Sequence, residues 1–236
     1  MGDHRIPLQA NTVACILGAI ALVMITGSIT GQLILYLTSH NYAFGLIQLF
    51  YVDTEYNFPT AFSVLLLLLS ALLLLIITLL KKNSPDFSTF YWAVLTSGFS
   101  FMAIDEAWQI HEKMIIPMRN LLGNESLGIF YYAWVIPAIA LVLVIGLLFM
   151  KFLSRLSRNT RTYFLMAAGF YLGGAICFEL LGGYYAELNG FRNLTYSMIV
   201  TIEESLEMGG IILFIWALLN YLRDNFDEIT LSFQNR

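Results

Sequence analysis

Residues 60–80 read TAFSVLLLLLSALLLLIITLL, twenty-one residues without a single charge. A bilayer hydrocarbon core of ~30 Å needs about 20 mostly apolar residues in a helix, so this stretch reads as a membrane span. It is apolar on every side, which predicts a helix turned toward lipid. The rest of the chain follows the same rule. Five further stretches qualify, at 12–37, 89–111, 129–150, 162–184 and 196–222. The expected fold is all-α, a polytopic transmembrane helical bundle of about six spans that forms a single domain over 1–236. Pro137 inside the fourth span predicts a kink, because it removes one helical hydrogen bond and crowds the preceding turn.

Between the first two spans, residues 42–51 (YAFGLIQLFY) are apolar and aromatic but too short to cross. Aromatic residues favour the headgroup level, so a short interfacial helix is expected there. Asp53, Glu55, Asn57 and Pro59 then read as a polar connecting turn, with Asn57 or Thr60 near the start of the next helix.

Composition agrees with the membrane reading. The chain has 236 residues, of which 58% are hydrophobic and 12% charged, with a mean hydropathy of +0.74. A soluble domain is nearer half apolar and a quarter charged. Twelve basic and sixteen acidic residues give a net charge of −4. That offers no basic footprint for nucleic acid. The partners to expect are membrane lipids, a lipid-like substrate or cation, and other membrane proteins or further copies of the chain. Residues 1–11 are polar and the apolar run after them is too long for a signal-peptide core, so no cleaved leader is expected. Cys15 and Cys177 fall in different spans and do not read as a disulfide framework.

Basic residues set the orientation, since cytoplasmic loops carry the excess of Lys and Arg. One alternate set of segments holds Arg5, Lys81, Lys82, Lys151, Arg155, Arg158, Arg161, Arg223 and Arg236. The other holds Lys113, Arg119 and Arg192. Both termini are therefore expected on the cytoplasmic side.

The acids do not follow the loops. Asp105, Glu106 and Glu112 fall at span three, Glu179 and Glu187 in or just past span five, and Glu203, Glu204 and Glu207 in span six. No Lys or Arg lies mid-span to pair with them, and intramembrane ionisable residues mark functional paths by default. At 1.5 Å per residue, Asp105 and Glu179 each lie about 25 Å from the inner face, and Glu203 to Glu207 some 10–17 Å below the outer one. Three helices thus place acids in one layer, the outer half of the membrane. At 100° per residue, Glu203, Glu204 and Glu207 share one face of their helix. On span three the same arithmetic separates His111 from Asp105 by about 120° and places His111 at the outer rim. Glu187 and Glu112 read as loop residues at frayed helix ends. The pairs Gly173-Gly174, Gly182-Gly183 and Gly209-Gly210 read as close-packing points between helices.

Clustered carboxylates in a low dielectric cannot all ionise. Protonation would suit a relay, hydration a wet vestibule, and a divalent cation a metal site. Oxygen-rich donors suit Mg, Ca and Mn, while one imidazole also admits Fe or Zn. The expected metal-site residues are Asp105, Glu106, His111, Glu112, Glu179, Glu203, Glu204 and Glu207. The spacing departs from the Glu-x-x-His pairs of di-iron bundles, since Trp108 stands three residues before His111. Three function classes follow. One is a metal-dependent membrane enzyme acting on a lipid-like substrate. Another is a proton- or cation-coupled transporter. The third is an accessory subunit of a larger membrane complex.

The strings Asp105-Glu106-Ala-Trp-Gln-Ile-His111-Glu112 and Glu203-Glu204-Ser-Leu-Glu207-Met208-Gly-Gly, with Glu179-Leu-Leu-Gly-Gly-Tyr-Tyr between them, carry a resemblance. The chain resembles an uncharacterised family of multi-pass membrane proteins of bacteria, cyanobacteria among them, from about residue 50 to 220. The resemblance implies a shared bundle and site in a bacterial inner membrane or a thylakoid membrane, and no reaction. By contrast, three-histidine zinc hydrolases of the alkaline ceramidase and adiponectin receptor type do not fit, because only His111 lies near a span.

Overall fold

The computed structural model describes residues 9–38, 45–82, 88–123 and 126–226. Among these there are helices and no strands. Helix α1 spans Ala10–Thr38, α2 Leu46–Phe50, α3 Phe58–Lys81 and α4 Ser88–Trp108. The short α5 (Ile110–Lys113) and α6 (Ile115–Leu122) follow, then α7 (Val135–Arg155) and α8 (Arg158–Leu172). A π-helical segment, Gly173–Phe178, joins α8 to α9 (Glu179–Asn189), and α10 covers Leu194–Asn225. The five-residue α2 lies within the stretch expected to hold a short helix; residues 42–44 of that stretch fall outside the described residues.

Five helical stretches are long and apolar enough to cross a membrane: Ala10–Thr38, Phe58–Lys81, Val135–Arg155, Arg158–Asn189 and Leu194–Asn225. That is the architecture of an integral membrane protein. The third expected span, 89–111, is the one outside this set. It forms α4, which is as long as α7 but carries Thr96, Ser97, Ser100, Asp105 and Glu106. It packs along α3, where the hydroxyls of Thr78 and Thr96 meet at 3.2 Å.

Helix α3 is exposed along one stripe, as expected of a lipid-facing helix, and buried along the other. Phe62, Leu66, Leu67, Leu73, Leu74 and Ile77 are buried, while Leu65, Leu68, Leu72, Leu75 and Leu79 are exposed. An all-apolar sequence cannot reveal which stripe a neighbour covers, because both sides carry the same residues. The central partner is α10, whose Met208, Ile211, Phe214, Ile215 and Leu218 join the same core. Trp92 closes that core toward the end where Lys81 and Arg155 lie, between the rings of Phe152, Phe164 and Tyr221.

Pro137 produces no kink. Helix α7 begins at Val135, so the proline sits in the first turn, where its missing N–H would have no helical acceptor. Residues 131–134, expected within the span, form a turn leading into it. Cys15 and Cys177 are free thiols.

Helix starts are made by side chains where the sequence expects them. Asn57 caps α3, its Oδ1 accepting the Thr60 N–H at 3.1 Å. Its Nδ2 donates to the carbonyls of Tyr51 and Thr54, each at 2.6 Å, and so ties the preceding turn to the helix. Asn193 caps α10 through the Tyr196 N–H at 2.9 Å.

Candidate functional site

At the end of the bundle opposite Lys81 and Arg155, one cavity of about 260 Å³ gathers acids from four parts of the chain. Asp105, Glu106, His111 and Glu112 line it from α4 and α5, Glu179 from α9, and Glu203, Glu204 and Glu207 from α10. Asp53 and Glu55 line it from the turn before α3. Among the described residues, nine carboxyls and one imidazole therefore share a single enclosure, and no Lys or Arg lines it.

The α4–α5 wall depends on a break that helical angles do not anticipate. Gln109 adopts φ 53°, ψ 46°, the left-handed region that non-glycine residues rarely enter. The chain beyond it no longer follows the α4 screw. His111, expected at the rim and turned away from Asp105, instead folds back onto it. Its backbone N–H donates to Asp105 Oδ1 at 2.8 Å, and its Nδ1 lies 2.8 Å from Oδ2. All four polar groups of this segment thereby reach one cavity, where straight-helix geometry allowed only some of them. Glu112 is part of the wall rather than a detached loop residue.

The α9 wall depends on the π segment. A π turn inserts extra backbone into an α-helix, and such segments often sit at functional sites. Here it is followed directly by Glu179, whose Oε1 accepts the Trp134 indole N–H at 2.7 Å. Gly174 makes the approach possible: a Cβ there would lie 2.6 Å from the Glu203 carbonyl oxygen and 2.8 Å from Glu207 Cγ. Across that contact, Glu179 and Glu203 line the same cavity from neighbouring helices. Tyr171 and Glu207 line the same wall. The three α10 acids lie on one face, as the spacing predicts.

The turn read as a connector does more than connect. Asp53 Oδ2 accepts the Tyr51 hydroxyl at 2.9 Å, and that hydroxyl meets Ser197 Oγ at 3.0 Å. The Tyr196 hydroxyl points at Asp53 Oδ1 at 3.5 Å and meets the Tyr132 hydroxyl at 2.8 Å. Ser28 on α1 accepts the Val52 N–H at 3.3 Å and fastens the turn from the other side. Asp53, Glu55, Tyr132, Trp134, Tyr171 and Tyr196 are the wall residues that sequence reasoning missed. The acidic pair at 53 and 55, close before a capped helix, was the one available signal.

Electrostatics outside the spans follow from this packing. Asp53 keeps one edge open, yet its packed surroundings push its carboxyl up to about 6, with Glu112 adding to the effect and the Tyr51 hydroxyl opposing it. Burial works to lower the His111 pKa. The hydrogen bond and charge of Asp105 outweigh it, helped by Glu179 and Glu112, and raise it to about 9. Glu112 is raised by burial and by Glu55. Burial and Asp53 push the Tyr51 hydroxyl up.

Glu187 takes no part in the cavity. Its two oxygens accept the N–H groups of Leu127 at 3.0 Å and Gly128 at 2.7 Å, holding the turn before α7. Nor do the eight expected metal-site residues converge on a point. Among the described residues, no group of three or more His, Cys, Asp or Glu side chains is set to hold a metal ion. They are spread around a wall, and both Asp105 oxygens are engaged by His111.

A family model described as a domain of unknown function (DUF8692) matches residues 14–222. No curated protein and no solved structure matches the chain.

Proposed function

Since the chain belongs to the DUF8692 family, whose description assigns no activity, we propose from the cavity itself that this is a cation-binding membrane protein. One observation carries the reading: among the described residues, nine carboxyls and one imidazole line about 260 Å³, with no Lys or Arg. Such a wall is unfavourable when empty and ionised, because each carboxylate raises the energy of its neighbours. A cation relieves that repulsion most directly. Oxygen donors in this number favour a hard divalent ion of the Mg, Ca or Mn kind. Spread around the wall, they suit an ion that keeps part of its water shell, as Mg does. The basic residues argue for an opening on the non-cytoplasmic side.

Within the cavity, Asp105 and His111 form the carboxylate–imidazole pair that orients a metal-ligating histidine. Asp105 engages Nδ1 and leaves Nε2 as the ring atom directed elsewhere. In this reading Asp105 is a positioning residue and His111 a ligand. Glu204 and Glu207 supply the opposite wall.

Binding is favoured over passage through the bundle. Between the cavity and the basic end the interior is filled by Met208, Ile211, Phe214, Ile215 and Trp92, an apolar plug. A transporter would need that plug to open.

The test is calorimetric titration of Mn²⁺, Ca²⁺ and Mg²⁺ into the purified protein in detergent, with Glu204→Gln/Glu207→Gln beside it. Saturable uptake of about one ion per chain, weakened at least about tenfold in the variant, supports the reading. Absence of saturable uptake of all three ions by the wild type overturns it.

A further inference from the structure

One aromatic side chain bridges two walls of the acid cavity. Trp134 stands in the turn just before α7 and lines the cavity together with His111 and Glu179. Its indole N–H donates to Glu179 Oε1, on α9, at 2.7 Å. Its ring lies against the His111 ring, on α5, with centroids 4.7 Å apart and planes inclined at 51°. A single residue therefore touches both the carboxyl and the imidazole, through two different kinds of contact.

The bridge is anchored at its base. Ala133 and Val135, on either side of Trp134, are both fully buried. A Cβ at Gly183 would lie 2.8 Å from Tyr132 Cδ2, so the α9 backbone packs directly on the same turn. A few residues earlier, Glu187 of α9 holds the Leu127 and Gly128 amides. An indole turns on only two side-chain torsions. With its backbone held against α9 and its N–H bonded to Glu179, the ring is fixed where it meets His111. Asp105 sets the imidazole from its Nδ1 side, and Trp134 sets it from its face. The result is a fixed separation between an imidazole and a carboxyl on different helices.

We propose that Trp134 is a positioning residue that makes the cavity select a small divalent cation over a larger one. The proposal rests on the cation reading above and adds to it how the site discriminates. Selectivity between Mg²⁺ and Ca²⁺ is a matter of cavity size, ligand number and flexibility. Mg²⁺ demands near-ideal octahedral geometry at about 2.0–2.1 Å, whereas Ca²⁺ accepts varied geometries at about 2.3–2.6 Å. A frame that fixes His111 and Glu179 relative to each other meets the first demand and gives no advantage to the second ion. Loosening that frame costs Mg²⁺ affinity and leaves Ca²⁺, which adapts, nearly untouched.

The experiment titrates Mg²⁺ and Ca²⁺ separately into the full-length protein in detergent, followed by calorimetry and by tryptophan emission. Trp134→Leu loses both contacts and should weaken Mg²⁺ binding about tenfold and Ca²⁺ binding by no more than about threefold. Replacing Trp134 by benzothienylalanine keeps a bicyclic ring against His111 and removes the N–H alone. It should weaken Mg²⁺ by a smaller factor, and it keeps the test open if Trp134→Leu fails to fold. Trp216→Phe removes an indole N–H that donates to Asn11 at 2.7 Å, away from the cavity, and should bind both ions as wild type. The emission change at Mg²⁺ saturation should persist in Trp216→Phe and be lost in Trp134→Leu. A merely structural role would move the two affinities in parallel. Parallel loss in the Trp134 variants, or a Mg²⁺-to-Ca²⁺ affinity ratio equal to that of wild type, overturns the proposal while cation binding stands. Absence of saturable uptake of both ions by the wild type overturns it too, and is told apart because it is seen before any variant is made.

Discussion

Asp105 grips His111 with both carboxylate oxygens, one on the backbone N–H and one on the ring, each at 2.8 Å. This double contact closes the α4–α5 corner and places an imidazole in a cavity otherwise lined by acids. Burial opposes the charged ring, but Asp105 more than compensates and raises the pKa to about 9. A group whose folded pKa lies above its unfolded value stabilises the fold fully below the unfolded value, near 6.5. That contribution is lost as pH rises through the folded value. The stability gap between wild type and His111→Gln, measured by thermal unfolding in the presence of a chelator, should therefore be constant below about pH 6.5 and close progressively toward about pH 9. A gap that widens over this range would refute the pairing.

Removing the grip should act on the cation through the ring. Partners of this kind typically contribute about 10–100-fold to metal affinity. Asp105→Asn should therefore weaken divalent-ion binding by about that factor while His111 remains. Binding left unchanged in Asp105→Asn, with clear loss in His111→Ala, would show that the ring needs no orienting partner.

Helix contact at the π segment gives a steric prediction. A Cβ at Gly174 meets the Glu203 carbonyl oxygen at 2.6 Å, and one at Gly210 meets the Tyr171 amide nitrogen at 2.7 Å. Both neighbours are backbone and cannot swing away, so Gly174→Ala and Gly210→Ala should each cost about 1–3 kcal/mol through overpacking. Gly98→Ala, with nothing within 4 Å of its Cβ, should be neutral or stabilising by up to about 1 kcal/mol from helix propensity. Reversible unfolding in mixed micelles reads all three, and equal effects would sink the packing argument.

The turn that carries Asp53 hangs on Asn57. Its side chain caps α3 and donates to two carbonyls of that turn. Asn57→Asp keeps the capping acceptor and loses the donors; Asn57→Ala loses both. Asn57→Ala should destabilise by at least the about 1 kcal/mol of a lost cap, with Asn57→Asp between it and wild type. Limited proteolysis of the 51–57 segment should rank the three proteins in the same order.

Glu187 separates structural acids from site acids. Since it holds the Leu127 and Gly128 amides and does not line the cavity, Glu187→Gln should lower the unfolding temperature and leave ion affinity within about twofold of wild type. Reduced affinity in a fully folded Glu187→Gln would place it in the site.

Much of this architecture was legible before any coordinates. Helical spans follow from continuous apolar length because, within a single segment, only a helix satisfies its own backbone in a bilayer. Asn57 was legible as a helix start because its side chain supplies a local acceptor. The shared face of Glu203, Glu204 and Glu207 was legible because α10 is regular through that region, so 100° per residue holds. The same arithmetic failed past α4, where the backbone leaves the α screw at Gln109, and the π segment Gly173–Phe178 is a second such irregularity. Each irregularity shifts every later side chain, and neither leaves a mark in composition or periodicity.

The sequence by itself determined that this is a helical membrane protein, that its basic residues mark one end, and that its unpaired acids lie in a layer toward the other. These properties are sums over local segments: hydropathy, charge sign and rise per residue. Only the tertiary structure decided that those acids face a common cavity, that Asp53 and Glu55 join them from a turn, and that Asp105 holds His111. Those relationships depend on which helix faces which, and on the phase at which each helix is broken. Side chains far apart in the chain become neighbours only through packing.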